Sequence, residues 1–241
     1  MMTRSILSLL FVTACGARQA APVQPTPAPA PKAAPDPRAE MARLLERHDA
    51  LPDGADKAAL AARIDTLAGQ RYATWSRLYW HRDLEAAKAE ARATGKPILS
   101  LRMLGALDQD LSCANSRFFR VALYANRTVS AYLRAHFVLH WSSERPVPVA
   151  RIDFGDGRVL ERTVAGNSAH YVLDAQGRPV DALPGLYTPA LFVATLAAAH
   201  PIAVRAGALD DDAQHALVAA FHRDQTAAAG ARFAALGTVA Q

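Results

Sequence analysis

The sequence predicts an α/β sandwich: a small mixed sheet flanked by helices, with a helical hairpin ahead of it and one long helix behind it. Two observations carry this. Between residues 84 and 142 the hydrophobic pattern alternates between the period of a helix and that of a strand. Two hairpin signatures and an apolar helix then follow, and helix, strand, helix, strand, hairpin, helix is an order that packs helices onto a mixed sheet.

Taken in order, Arg38–Leu51 sets Met41, Leu44, Leu45 and His48 on one helical face, and Leu51-Pro52-Asp53-Gly54 breaks it. Ala55–Ala68 repeats the pattern with Leu60, Ile64 and Leu67, so residues 38–70 read as a helical hairpin. Tyr72, Trp75, Leu78, Tyr79 and Trp80 form a cluster expected in the core. Leu84–Ala93 is a helix stopped by Thr94-Gly95-Lys96-Pro97, Pro97–Met103 is a strand, and Gly105–Leu111 is a loop. Ser116–Ala125 and Thr128–His136 are helical, split near Asn126, and Phe137–Ser142 is the second strand. Val149–Phe154 and Arg158–Val164 flank Gly155-Asp156-Gly157, whose Asp-Gly pair suits a type I′ turn. His170–Asp174 and Val180–Leu183 form another hairpin about Ala175-Gln176-Gly177-Arg178. Thr188–His200 is a helix entered through Pro189. Asp210–Leu236 is alanine-rich, with Asp210, Asp211 and Asp212 where the helix dipole favours them. Its narrow stripe of Leu217 and Phe221 is expected to lie against the domain.

The N-terminus predicts location. MMTRSILSLLFVTAC places Arg4 before the apolar run Ile6–Val12, too short for the roughly 20 residues a bilayer requires and suited to the core of a secretory signal. Val12-Thr13-Ala14-Cys15 resembles the bacterial lipobox, which implies a lipid on Cys15 after removal of residues 1–14. Residues 15–37, rich in Ala and Pro, read as an extended spacer that cannot bury a core. The expectation is a protein of the bacterial cell envelope, anchored by lipid and facing the periplasm, with the outer membrane as the destination the lipobox rule gives. The net charge of +5 is spread without a stripe, so no nucleic-acid partner is expected. Of the two cysteines, lipidation of Cys15 would leave Cys113 with no partner in its own chain.

The element order, with a cysteine opening the helix after the first central strand, resembles the thioredoxin-like family. Lys96-Pro97-Ile98-Leu99, Phe137-Val138-Leu139, Tyr171–Arg178 and Pro184–Pro189 carry the resemblance, and LSCANSRFF (111–119) is similar to a segment of uncharacterised exported bacterial members. It covers about residues 80–200. Residues 71–202 are therefore expected to be a thioredoxin-like domain, with residues 203–241 holding the last helix. Two departures stand out. The active segment implied by the family is Cys-x-x-Cys, and here it reads Cys113-Ala114-Asn115-Ser116. The cis-proline implied opposite it falls near Ser168, where a trans peptide is expected.

Two readings of Cys113 stay open. In the first, Ser112 or Asp110 caps the helix and Cys113 lies in its first turn, where free N–H groups favour a thiolate, with a hydrogen bond from Ser116 to the sulfur. Cys113 and Ser116 would then perform monothiol exchange with thiols or disulfides of envelope proteins, the substrate groove being Asn167, Ser168 and His170. A resolving cysteine is missing, so an outside thiol would complete the cycle. His140 and His170 lie on strands near the cysteine, and His170 is a candidate base. In the second reading the fold is a non-catalytic, membrane-tethered binding or scaffold module for an unknown protein partner, with Cys113 packed in the core. Neither reading calls for a cofactor or a metal. Asp211, His215 and His222, which could share a helical face, read as a solvated surface.

Overall fold

Two of the helices ahead of the sheet start on a capping aspartate. The structure, a computed structural model, describes residues 36–237. The expected signal segment, Cys15 and the expected spacer as far as residue 35 lie outside them. Asp36 caps α1 (Pro37–Ala50) by accepting the Arg38 N–H at 2.9 Å, with Pro37 in the first turn. Helix α2 (Ala55–Ala68) runs back along it, burying Leu60, Ile64 and Ala68 against Met41, Leu44 and Leu45. The short turn α3 (Ala73–Ser76) follows, flanked by Tyr72 and Arg77 at φ 62° and 55°. That reversal corrects one expectation: Leu78 and Trp80 are buried, but Trp75 is turned outward, 58% exposed, and stacks on Tyr72 at 5.1 Å. Asp83 caps α4 (Leu84–Thr94) through the Ala86 N–H at 2.7 Å.

The strands are β1 (Ile98–Leu104), β2 (Val138–Arg145), β3 (Val149–Asp153), β4 (Val159–Thr163), β5 (Ser168–Leu173) and β6 (Pro179–Pro184). Four of them form a sheet in the order β2-β1-β5-β6, with β1 and β2 parallel and the β1/β5 and β5/β6 pairs antiparallel. Residues alternate between the two faces. Leu99, Leu101 and Met103 join the main core with Val129 and Leu133 of α6 (Arg127–His136) and Phe192 and Leu196 of α7 (Pro189–Ala206). Burying a side chain such as Leu196 contributes about 1.5–3 kcal/mol. On the opposite face Ile98, Val138 and Leu173 meet Ala87 and Ala91 of α4, with Leu84 and Ala175 beside them. Farther along that face Ser100 and Arg102 line an open cavity.

The separate two-stranded sheet β3-β4 closes from the Phe154 N–H to the Arg158 carbonyl at 3.1 Å. Gly155 and Gly157 both take left-handed φ values of 75° and 88°, so the loop is wider than the two-residue turn expected from Asp-Gly. Helix α7 runs through Pro201 to Ala206 and does not stop at His200, because Ala203 and Ala206 continue its buried face. Arg178 then ties the chain down: it pairs with Asp174 and with Asp211 at 2.8 Å each, and donates to the carbonyls of Ala206 and Leu209 at 2.6 and 3.0 Å. Helix α8 (Asp211–Gly237) packs through Gln214, Leu217, Val218 and Phe221. Its side chains from 223 to 235 are exposed, so only its first part lies against the domain.

Candidate functional site

Strand β1 ends at Leu104, and the loop behind it returns the chain so that the Cys113 N–H bonds the Leu104 carbonyl at 3.2 Å. Cys113 is itself the N-cap of α5 (Ala114–Phe118), with extended backbone. This corrects the expectation that Ser112 or Asp110 caps the helix. The sulfur accepts the Ser116 backbone N–H at 3.4 Å. The Ser116 hydroxyl lies within 2.8 Å of the Ser112 hydroxyl and of the Cys113 carbonyl, so it does not serve the sulfur. Cys113 is 0% exposed and belongs to the main core.

The chain after α5 explains what surrounds the sulfur. Phe119–Leu123 is a π-helical turn, closed by the Tyr124 N–H on the Phe119 carbonyl at 2.7 Å. The wider turn sends Phe119, Arg120, Leu123 and Tyr124 all inward. Asn126 then caps α6 through the N–H groups of Thr128 and Val129. Burial pushes the Tyr124 phenol well above its ordinary range, and the neighbouring Cys113 pushes it the same way.

Over the cysteine lies a strap formed by residues 163–168. The Thr163 hydroxyl donates to the Ser112 carbonyl at 2.9 Å, the Ala114 N–H to the Ala165 carbonyl at 3.0 Å, and the Asn115 amide to the Ser168 hydroxyl at 3.1 Å. Gly166 permits this approach: a Cβ there would stand 2.8 Å from the Asn115 Oδ1. All described peptide bonds are trans, those around Ser168 included.

Of the three groove residues, two line a cavity and one does not. Asn167 and Ser168 help enclose a space of about 600 Å³ with Ser100, Arg102, Glu144 and Tyr171. Arg102 and Glu144 pair at 3.1 Å beside it. His170 points into the core, where its Nε2 lies 2.6 Å from the Tyr124 hydroxyl and its ring packs 4.7 Å from Phe119 and 4.9 Å from Phe192. Its grouping with Asn167 and Ser168 is corrected: strand alternation puts Ser168 and His170 on the same face of β5, opposite Met103 and Leu101, so what removes His170 from the cavity is its depth in the core. Burial holds His170 neutral, with its pKa lowered to about 3, and its Nδ1 is buried without a partner. His140 is on the α4 side of the sheet, bonded to the Ser100 hydroxyl at 2.8 Å, with its pKa lowered to about 4 by burial and then by Arg102. The sheet therefore separates His140 from the sulfur.

Asp211 and His222 are engaged by Arg178 and by the Val180 carbonyl, in keeping with structural roles along the first half of α8. The sequence reading missed Asn115, Tyr124 and Thr163, whose positions depend on the strap and the π-turn. One signal was present: Arg120 interrupts the apolar run of Phe118, Phe119, Val121, Ala122 and Leu123. No family model matches the chain, and no curated protein or solved structure matches it significantly.

Proposed function

We propose that this chain is a binding module on a thioredoxin-like fold, carried on the bacterial cell envelope by a lipid on Cys15, in which Cys113 caps and fills the core. One observation carries the reading: the sulfur is fully buried beneath the strap and occupied as a helix cap. A thiolate must reach a disulfide in line to exchange with it, and a covered sulfur cannot. The thioredoxin-like part of the reading is supported by the element order, with the cysteine opening the helix between two parallel strands and an antiparallel hairpin following. The binding part is supported by the cavity on the uncovered half of the sheet, where Arg102, Glu144, Asn167 and Tyr171 offer polar groups to an envelope ligand or protein.

Monothiol exchange is the second reading, favoured by the N–H that already points at the sulfur from the helix start. It requires the strap to lift. Glutathione disulfide separates the two in a chain carrying Cys15→Ser. In exchange, the Cys113 thiolate attacks one sulfur of glutathione disulfide, the mixed disulfide forms, and glutathione thiolate leaves. The binding-module reading expects no such adduct by intact mass under native conditions and complete conversion in guanidinium. A native adduct forming near the denatured rate, and released by added thiol, overturns it.

A further inference from the structure

The π-turn and the residues ahead of α3 bring three guanidinium groups within electrostatic reach of one another. Arg71 precedes Tyr72, while Arg117 and Arg120 come from α5 and the π-turn. A cavity of about 440 Å³ lies beside two of them, Arg117 and Arg120, and is lined also by Tyr72, Asp110, Phe118 and Val121. Arg120 is 2% exposed. Its guanidinium donates to the carbonyls of Leu107 and Gln109 at 3.1 and 2.6 Å and to the Ser112 hydroxyl at 3.1 Å. Every one of these acceptors is neutral, and its Nε is buried with no partner.

The nearby carboxylates are already engaged. Arg71 meets Asp110 at 3.1 Å and Asp65 at 3.6 Å, and Asp65 also accepts the N–H groups of Tyr72 and Ala73. Three cations thus stand against two anions, leaving one positive charge over. Neither Arg117 nor Arg120 enters an ion pair among the described residues. Burial lowers the Arg120 pKa, Tyr72 and Asp110 oppose this, and Arg71 and Arg117 add to it, which places the three guanidinium groups within electrostatic reach of one another. A buried cation bonded only to neutral groups keeps much of its desolvation cost, which an opposite charge offsets. The role of holding the loop before Cys113 accounts for the three bonds of Arg120. It does not account for Arg117 or for the space between the two.

We propose that this cavity binds a small organic oxyanion, an aryl or short alkyl phosphate or carboxylate. Its charged end sits on the Arg117 fork, with Arg120 supplying positive potential from beneath. Its apolar body lies against Phe118, Val121 and the Tyr72 ring. Planar guanidinium matches the paired oxygens of both anions, and Val121, half exposed, supplies apolar surface for the body. This site is separate from the sheet-face cavity and independent of how Cys113 behaves.

Calorimetric titration at constant ionic strength tests it, with phenyl phosphate and benzoate as probes and benzyl alcohol as the uncharged control. Saturable binding of at least one anion, and none of the alcohol, is the expected result. The ratio of the two affinities then tells phosphate from carboxylate. Arg117→Gln should weaken the preferred anion at least tenfold without lowering the melting temperature, while Arg162→Gln, removing an exposed arginine on β4, should leave it unchanged. The proposal is overturned if neither anion saturates, if the alcohol binds as well, or if the two variants weaken binding equally.

Discussion

Acidification from about pH 7 to about pH 5 should remove about 4 kcal/mol of folding stability, and two imidazoles account for it. His170 and His140 are 0% and 2% exposed, with pKa values lowered to about 3 and about 4, burial being the first cause in each. In the unfolded chain both return to about 6.5. Between the folded and unfolded values the unfolded chain binds protons that the folded chain refuses, so stability rises with pH and is lost as pH falls below about 6.5. At roughly 1.4 kcal/mol per pH unit, each imidazole costs about 2 kcal/mol by pH 5. His200, lowered by burial and by His136, acts in the same direction. A loss of this size is a large part of the roughly 5–15 kcal/mol that holds a typical domain folded. Urea denaturation followed by circular dichroism at several pH values measures it, and His140→Asn should reduce the loss by about half. A midpoint unchanged across this window would mean that the imidazoles are solvated, and the placement of His170 in the core would fall.

Tyr124→Phe removes the one hydrogen-bond partner of His170, leaving both ring nitrogens unpaired in the core, and should cost about 1–3 kcal/mol in the same urea assay. Arg178→Gln takes the guanidinium from the fully buried Asp174 carboxylate, leaving it only the backbone N–H groups of residues 176 and 178, and loosens the start of α8. A loss of roughly 2–3 kcal/mol is expected, with faster amide exchange over residues 211–221. Asn115→Ala removes one of three hydrogen bonds holding the strap, about 1 kcal/mol, so alkylation of Cys113 should speed up about fivefold.

The sheet and its flanking helices were legible because burial there is regular. Leu84–Ala93 shows its helical period, β1 its run of apolar residues, and the Ala175–Arg178 turn its glycine, all of them local signals. What escaped depends on residues brought together from a distance. Trp75 reads as core by composition, yet two left-handed residues around α3 turn it to solvent. Helix α7 passes Pro201 because tertiary burial of Ala203 and Ala206 outweighs a local breaker. The candidate site was legible in its parts but not in its sense. Cys113 does begin a helix, but as its cap. No periodicity reports that residues 163–168, some fifty positions later, lie over it. His170 shares a strand face with Ser168, and no local signal reports that Phe119, Tyr124 and Phe192 enclose it in the core.

A buried, capping Cys113 must be shielded from small electrophiles in the folded chain. In a chain carrying Cys15→Ser, excess iodoacetamide can be followed by intact mass under native conditions and in guanidinium. Three strap hydrogen bonds at about 1 kcal/mol each correspond to an opening constant near 10⁻², so the native thiol should react at least about 100-fold more slowly than the denatured one. Equal rates in the two conditions would contradict a buried, capping Cys113 and return the protein to thiol chemistry.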